Sequence, residues 1–174
     1  MLRGAHVTLV NASVSVEPPM FVDVVNVTSA ADMADVVKSK AAEQDIIIMT
    51  AAVADFCPSH PADEKIKKND SSYESVIELE RTEDILSYLG AHKAKGQLIC
   101  GFSMETQNML ENSKAKLAKK NADMIVANNL KVAGAGFGTD TNVVTLITAD
   151  DCTELEIMDK SCVAARIMDR LLKM

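Results

Sequence analysis

Aromatic side chains are scarce in this sequence of 174 residues: they make up 3% of the chain, and tryptophan is absent. Stacking platforms for nucleic-acid bases are therefore few. Acidic residues outnumber basic ones by 25 to 18, which gives a formal charge of −7. A surface of this sign repels phosphate backbones and anionic membranes. We therefore expect neither nucleic acid nor membrane as a partner.

Long apolar runs and metal-ligand motifs are also missing. The longest apolar stretch, residues 46–54, is far shorter than the roughly 20 residues that span a bilayer, and no signal-peptide pattern opens the chain. The four cysteines form no C-x-x-C pair, and the three histidines form no H-E-x-x-H motif. We expect a soluble, cytoplasmic protein with reduced thiols and without a zinc site.

The apolar pattern alternates between short strands and amphipathic helices. Strands are predicted over 6–10, 22–27, 45–49, 75–79, 97–102, 123–127, 143–148 and 154–158, and helices after Ser29 and over 82–92, 107–120 and 161–172. Ser29 and Asp32 form a capping box, and Thr82 is the expected cap of the second helix. This order predicts an α/β fold, a Rossmann-like three-layer sandwich with a mainly parallel sheet, in one domain over 1–174.

Ligands of such sheets bind beyond the carboxyl ends of the strands, here the loops after Met49, Phe102 and Ala127. The first loop carries Asp55 among small residues that allow a ligand close to the backbone. Asp55 could hold a ribose hydroxyl, a base amine or a magnesium ion, or it could merely stabilise its own turn.

Two groups of lysines stand out against the negative net charge. Lys65, Lys67 and Lys68 end the first loop, and alternation allows at most two of them to face one ligand. Lys116 and Lys120 lie four residues apart on one helix face, without an acid three or four residues before either. Both groups favour an anion site such as a polyphosphate, although a solvated surface is the alternative for each.

The glycines at 134, 136 and 138 do not form a dinucleotide fingerprint, because G-x-G-x-x-G is not matched and the segment leads toward a strand. No phosphate-binding G-x-x-x-x-G-K-[ST] motif occurs either. A different nucleotide-binding α/β enzyme, such as a reductase, is therefore weakly supported. The segment 130–142, with an exposed Phe137, is predicted to be a mobile loop or a subunit contact.

Five segments taken in order resemble bacterial phosphopantothenoylcysteine synthetase, the ligase half of the bifunctional coenzyme A biosynthesis flavoprotein. They cover nearly the whole chain and are 51–58 (AAVADFCP), 65–68 (KIKK), 101–106 (GFSMET), 120–128 (KNADMIVAN) and 136–142 (GFGTDTN). The resemblance implies a ligase that joins 4'-phosphopantothenate to L-cysteine with CTP, through an acyl-cytidylate and with release of pyrophosphate. It also implies a homodimer, and fusion to or association with a phosphopantothenoylcysteine decarboxylase.

The resemblance places the CTP-binding positions at Thr50, Ala51, Asp55, Lys65, Glu83, Asp84, Ile85, Leu86, Phe102, Lys116 and Lys120. Lys65 is the expected catalytic cation, because negative charge concentrates on the departing pyrophosphate. Mg²⁺ is expected with CTP, although its ligands are not assigned. Flavin is not expected in this chain.

One departure from the family concerns the start of the chain. The family opens with a strand, a glycine-rich turn that carries an asparagine of the amide-forming step, and a helix, and this sequence begins at the end of that helix. We therefore expect a truncated synthetase domain that folds but turns over slowly. A non-catalytic oligomerisation or regulatory fragment is the alternative, and no residue pattern distinguishes a CTP pocket from an ATP pocket.

Overall fold

The computed structural model describes residues 1–12, 14, 16–62, 64–65, 76–105, 108–129 and 138–174. Its elements are β1 (Thr8–Asn11), β2 (Asp23–Asn26), α1 (Ala30–Ala41), β3 (Ile46–Met49), β4 (Phe56–Pro58), β5 (Leu79–Arg81), α2 (Ile85–Ala91), β6 (Leu98–Glu105), α3 (Met109–Lys119), β7 (Met124–Asn129), β8 (Thr141–Asn142), β9 (Val144–Ile147), β10 (Cys152–Glu154), β11 (Met158–Asp159) and α4 (Lys160–Leu171). The α/β fold predicted from the sequence is confirmed.

The chain divides into two compact units. Unit 1 comprises Met1–Val37 and Ala52–Asp84, and unit 2 comprises Lys38–Ala51 and Ile85–Met174. The division falls within α1, whose residues 30–37 belong to unit 1 and residues 38–41 to unit 2. The prediction of one domain over 1–174 stays a prediction.

Unit 1 holds two small sheets. β1 and β2 pair in parallel, and β4 and β5 pair antiparallel, with Phe56 opposite Arg81. The predicted capping box at the start of α1 is confirmed, because the Ser29 hydroxyl accepts from the Asp32 N–H at 3.0 Å and the Asp32 carboxylate accepts from the Ser29 N–H at 2.9 Å. These bonds satisfy two backbone donors that the first helical turn leaves unpaired.

Unit 2 is built on a five-stranded sheet in the order β10-β9-β7-β6-β3. β3, β6 and β7 run parallel, whereas β9 pairs antiparallel with both β7 and β10. The last pairing is antiparallel because residues 148–151 are too few for the crossover that a parallel pair requires. The sheet is therefore mixed, with parallel strands on one side.

Helices cover both faces of this sheet. Met124 and Val126 of β7 join the buried cluster that includes Val163 and Ile167 of α4. Ile125 points to the other face, where it lies with Leu86 of α2 over Gly101. The β3-α2-β6-α3-β7 path steps in one direction across the sheet, and right-handed crossovers then place α2 and α3 on the same face. Unit 2 thus forms the predicted three layers.

Three local predictions were wrong. The stretch predicted as one strand over 154–158 forms the separate strands β10 and β11, and the strand predicted over 75–79 is β5, Leu79–Arg81. α2 begins at Ile85, so Thr82 does not cap it; instead the Thr82 hydroxyl donates to the Ala54 carbonyl. The predicted strand start at Ser75, the helix start at Gln107 and the exposed Phe137 lie outside the described residues.

Candidate functional site

The overhang of β6 past β3 carries one of the predicted site residues of unit 2, Phe102. Pairing between these strands ends with Met49 opposite Gly101, while β6 continues to Glu105. Phe102 is the first residue of this overhang. Thr50 and Ala51 follow β3 and are exposed. Loops and overhangs at the carboxyl ends of parallel strands are where α/β sheets bind ligands.

Lys116 is fixed to this overhang from α3. Its ammonium donates to the Phe102 carbonyl at 2.8 Å, and the side chain is half-buried. One turn earlier on α3, the Ser113 hydroxyl is buried and bonds the Ser103 hydroxyl at 2.8 Å. Two side-chain contacts therefore hold α3 against the end of β6, and the acceptor of Lys116 is a neutral oxygen that leaves the ammonium its full charge.

The side chain of Lys120 is held by a contact with α2. Its ammonium donates to the Ser87 hydroxyl at 2.9 Å. Its carbonyl lies so close to Gly90 that a Cβ at Gly90 would be 1.8 Å from the oxygen. The next residue, Asn121, has a left-handed φ of 49° and donates from its amide to the Gly90 carbonyl at 2.8 Å. The end of α3 is thereby locked onto α2.

The predicted residues Ile85 and Leu86 have structural roles in unit 2. Ile85 is 4% exposed, and Leu86 lies within 2.7 Å of the Cβ position at Gly101. Their side chains pack in the interior, so a nucleotide would meet the backbone of this turn rather than the side chains. The assignment of CTP binding to these positions stays a prediction.

Unit 1 contains the remaining predicted residues. The Asp55 carbonyl accepts from the Thr82 N–H at 3.0 Å, which brings Asp55 to the segment that carries Glu83 and Asp84. All three acids are exposed. Among the described residues the Asp55 carboxylate forms no hydrogen bond with its own turn, so the turn-stabilising alternative has no support there and the carboxylate can face a ligand.

Lys65 is exposed and lies in the segment that connects β4 and β5. In the part of the chain that the structure describes, no hydrogen bond or ion pair joins it to Asp55. Lys67 and Lys68 lie outside the described residues. The structure thus brings Asp55 to the segment of Glu83 and Asp84 in unit 1 and fixes Lys116 and Lys120 in unit 2, while no described contact joins Lys65 to Asp55.

The thiol of Cys100 is not reactive. All four cysteines are free. Cys100 is buried in the sheet, and burial, followed by the nearby Asp123 charge, raises the pKa of its thiol to about 12. A thiol with this pKa stays protonated at neutral pH and is a poor nucleophile.

Within the described ranges, no three His, Cys, Asp or Glu side chains converge as a metal-binding group. No described helix has the length and apolar character needed to cross a membrane.

Sequence reasoning missed Ser87, Gly90 and Asn121. A glycine inside a helix signals a close approach of another backbone, and Gly90 was such a signal. No pattern in the sequence identifies what approaches it, because the partner lies some 30 residues away. The link from the Asn142 amide to the Asn128 side-chain oxygen, at 3.0 Å, was equally hidden.

The fold defines an α/β protein with a mixed sheet, whose helix α3 carries Lys116 held at the overhang of β6 and Lys120 held against α2. Over residues 1–174 the chain matches the family described as the DNA/pantothenate metabolism flavoprotein C-terminal domain. The chain belongs to this family.

Relatives and solved structures agree with this assignment. The coenzyme A biosynthesis bifunctional protein CoaBC of Bacillus subtilis is 45% identical over 170 residues, which are 97% of this chain and 41% of that protein. A cysteine/cysteine sulfinic acid decarboxylase from an unknown prokaryotic organism is 44% identical over 97% of this chain and 47% of its own length. The chain therefore spans less than half the length of these curated relatives.

A crystal structure of the C-terminal domain of the bifunctional protein CoaBC is similar with a TM-score of 0.80 and 41% identity. The match covers 99% of this chain and 78% of that one. The likeness to the C-terminal part of a bifunctional protein is consistent with the partial coverage of the curated relatives.

Proposed function

We propose that the chain is a ligase domain of coenzyme A biosynthesis, which joins 4'-phosphopantothenate to L-cysteine with CTP through an acyl-cytidylate. The observation that carries the proposal is a pair of fixed lysines, Lys116 at the β6 overhang and Lys120 against α2, in a chain that belongs to the pantothenate metabolism family. Fixed cations of this kind are what a triphosphate requires.

The chemistry follows from the weakness of a carboxylate as an electrophile. The phosphopantothenate carboxylate attacks the α-phosphorus of CTP, the bond to the β-phosphate oxygen breaks, and pyrophosphate leaves with the electron pair. The cysteine amine then attacks the carbonyl of the mixed anhydride, CMP leaves, and the amine loses a proton. Each step gains most from charge stabilisation and orientation.

The residues divide this work. In this proposal Lys116 and Lys120 hold the triphosphate, and Lys65 neutralises charge that builds up on the leaving pyrophosphate. Mg²⁺ shared between CTP and an exposed carboxylate such as Asp55 would add positive charge at the phosphates, a mode in which one or two protein carboxylates suffice. No protein nucleophile is needed.

Pyrophosphate release with CTP and 4'-phosphopantothenate tests the proposal, with phosphopantothenoylcysteine measured after cysteine is added. Calorimetry with CTP, ATP, GTP and UTP decides which base the site accepts. CTP-dependent pyrophosphate release is expected. Binding of none of the four nucleotides would instead favour the non-catalytic oligomerisation or regulatory fragment.

Substitutions test whether Lys116 and Lys120 bind CTP. Lys116→Ala with Lys120→Ala is expected to raise the apparent CTP constant and to make the remaining binding less sensitive to salt. Lys114→Ala with Lys119→Ala is the matched control, since both are exposed lysines of the same helix. Equal CTP affinity in the two double variants would show that Lys116 and Lys120 do not bind CTP.

Lys65→Gln separates binding from chemistry. This substitution is expected to lower the rate of pyrophosphate release more than the affinity for CTP, because Lys65 acts on charge that develops during the step. An unchanged rate would make Lys65 a surface residue.

We also propose that the chain forms a homodimer. In the β4–β5 pair of unit 1, Phe56 is 50% exposed and Leu79 is 58% exposed. Ile77, two residues before Leu79, is exposed as well. Apolar side chains gathered on one small sheet are typical of an interface. Sedimentation at tens of micromolar protein is expected to give twice the monomer mass, and a monomer at that concentration would contradict the proposal.

A further inference from the structure

The contact between α2 and Lys120 has two points. At one end the Lys120 carbonyl sits against Gly90, and at the other end its ammonium donates to the Ser87 hydroxyl. Ser87 and Gly90 are three residues apart and therefore lie on one face of α2, about 4.5 Å apart along the helix axis. The lysine side chain thus runs along one turn of α2, anchored by its backbone and by its charged tip.

The backbone end of this contact is rigid. Gly90 is buried, and the Asn121 amide donates to the Gly90 carbonyl at 2.8 Å. The backbone N–H of Lys120 also donates to the Lys116 carbonyl at 2.9 Å, which closes the last turn of α3. Since the Cα of Lys120 is fixed, the position of its ammonium depends on the four torsions of a flexible side chain. The hydrogen bond to Ser87 restricts these torsions at the tip.

We propose that Ser87 is a positioning residue for Lys120, which holds the ammonium where it meets the triphosphate. This inference rests on the proposed function and adds to it a residue outside the predicted nucleotide-binding set. A lysine has many rotamers in water, and ordering it only on binding lowers affinity. The hydrogen bond to the Ser87 hydroxyl orders the ammonium before a ligand arrives, and the hydroxyl itself places no negative charge beside it.

The position of Ser87 also explains how α2 serves the site. Glu83 to Leu86, the predicted nucleotide-binding turn, leads directly into this residue. The first turn of α2, from Ile85, is thereby tied to the lysine at the end of α3. A ligand that contacts Lys120 meets a cation whose place is set by two helices on the same face of the sheet.

A double-mutant cycle tests this role, with Ser87→Ala, Lys120→Met and the two combined, and with CTP and inorganic triphosphate as probes. Ser87→Ala is expected to raise the dissociation constants roughly three- to tenfold, because a hydrogen bond to a charged group is lost. The CTP KM should rise while kcat changes less than twofold. In the Lys120→Met background, Ser87→Ala should have no further effect.

Ser87→Thr keeps the hydroxyl and is expected to restore most of the affinity. Ser161→Ala, an exposed serine of α4, is the control and should leave both constants unchanged. A merely structural Ser87 would instead lower affinity by the same factor with or without Lys120, and that additive result would overturn the inference.

The outcomes separate this inference from the proposed function. If the wild-type chain binds CTP and Ser87→Ala binds it equally well, the positioning role is wrong while the function stands. If the wild-type chain binds neither CTP nor inorganic triphosphate, both are wrong.

Discussion

The sheets of the two units differ in how their strands are supported. In unit 2, residues Ile125 to Ala127 of β7 are 0% exposed and pair with β6 on one side and β9 on the other. In unit 1, every residue of β5 is exposed and its described partner is β4. A strand buried between two others opens only with the whole unit, whereas an isolated pair of short strands is marginal in water.

The difference bears directly on the site. Lys116 and Lys120 belong to the well-supported unit, and both are held before a ligand arrives. Asp55 and Lys65 are exposed residues of the unit with the small sheets. Within unit 2, the two lysines are therefore arranged in advance by their hydrogen bonds.

Amide hydrogen exchange should give the largest difference between the two units. Amides of β7 are expected to exchange only on global unfolding, while those of β4 and β5 exchange through local opening. A gap of at least about 3 kcal/mol in opening free energy, more than a hundredfold in rate, is expected between them. Equal protection of the two sheets would break the comparison.

Gly90→Ala should give the next largest effect. A Cβ at this position would lie 1.8 Å from the Lys120 carbonyl oxygen, so α2 and the end of α3 must separate. Overpacking of this kind costs about 2 to 3 kcal/mol of unfolding free energy, measured by urea denaturation. CTP affinity should fall as well, because Lys120 moves with the backbone.

Gly96→Ala is the control for backbone strain. Gly96 has a φ of +85° and no atom within 4 Å of its Cβ position. Its substitution is expected to cost about 1 kcal/mol through conformation alone, without a change in CTP affinity. If both glycine variants are equally stable, the close approach at Gly90 is not what fixes α2.

Substitutions at the helix N-termini of the two units should give smaller changes in unfolding free energy. Ser29→Ala removes a cap that accepts the Asp32 N–H in unit 1 and should cost about 1 kcal/mol. Asp159 precedes α4 in unit 2 and makes no side-chain cap bond. Asp159→Ala is therefore expected to change unfolding free energy by less than about 0.5 kcal/mol. The reverse order would show that the Ser29 bond does not stabilise α1.

The smallest effect expected is a dependence of stability on pH. Hydrogen bonds from the Thr28 and Ser29 side chains, then from their backbones, hold the pKa of Asp32 below its usual value. A lowered folded-state pKa stabilises the fold above about pH 4, and this stabilisation disappears as the pH falls through the folded value. Asp32→Asn should flatten the acid limb of an unfolding curve measured between pH 2 and 6.

Asp151 in unit 2 also has a lowered carboxyl pKa, like Asp32 in unit 1. Its pKa is lowered by the Thr153 side chain first, then by the Cys152 backbone and Arg170, whose guanidinium lies 3.1 Å from the carboxylate. Asp151→Asn should flatten the same limb. If neither variant alters the acid limb, other carboxylates set the acid stability.

Local features of the fold were readable from the sequence. The apolar run before Thr50 predicted the strand β3, although none of its residues is buried. The Ser29 and Asp32 spacing predicted a helix start that the structure confirms. Short-range patterns suffice there, because the interacting groups are within a few residues of one another. Strand ends and caps were less readable, as Thr82 shows, since a distant carbonyl at Ala54 competed for its hydroxyl.

The sequence by itself determined the order of strands and helices, the excess of cations on the face of α3 that carries Lys116 and Lys120, and the family to which these motifs point. Only the tertiary structure decided what those lysines touch. Lys120 meets Ser87 across 33 positions of sequence, because consecutive right-handed crossovers place α2 beside α3. Periodicity specifies which face of a helix is apolar, but the partner of a polar tip depends on packing between elements that no local pattern encodes.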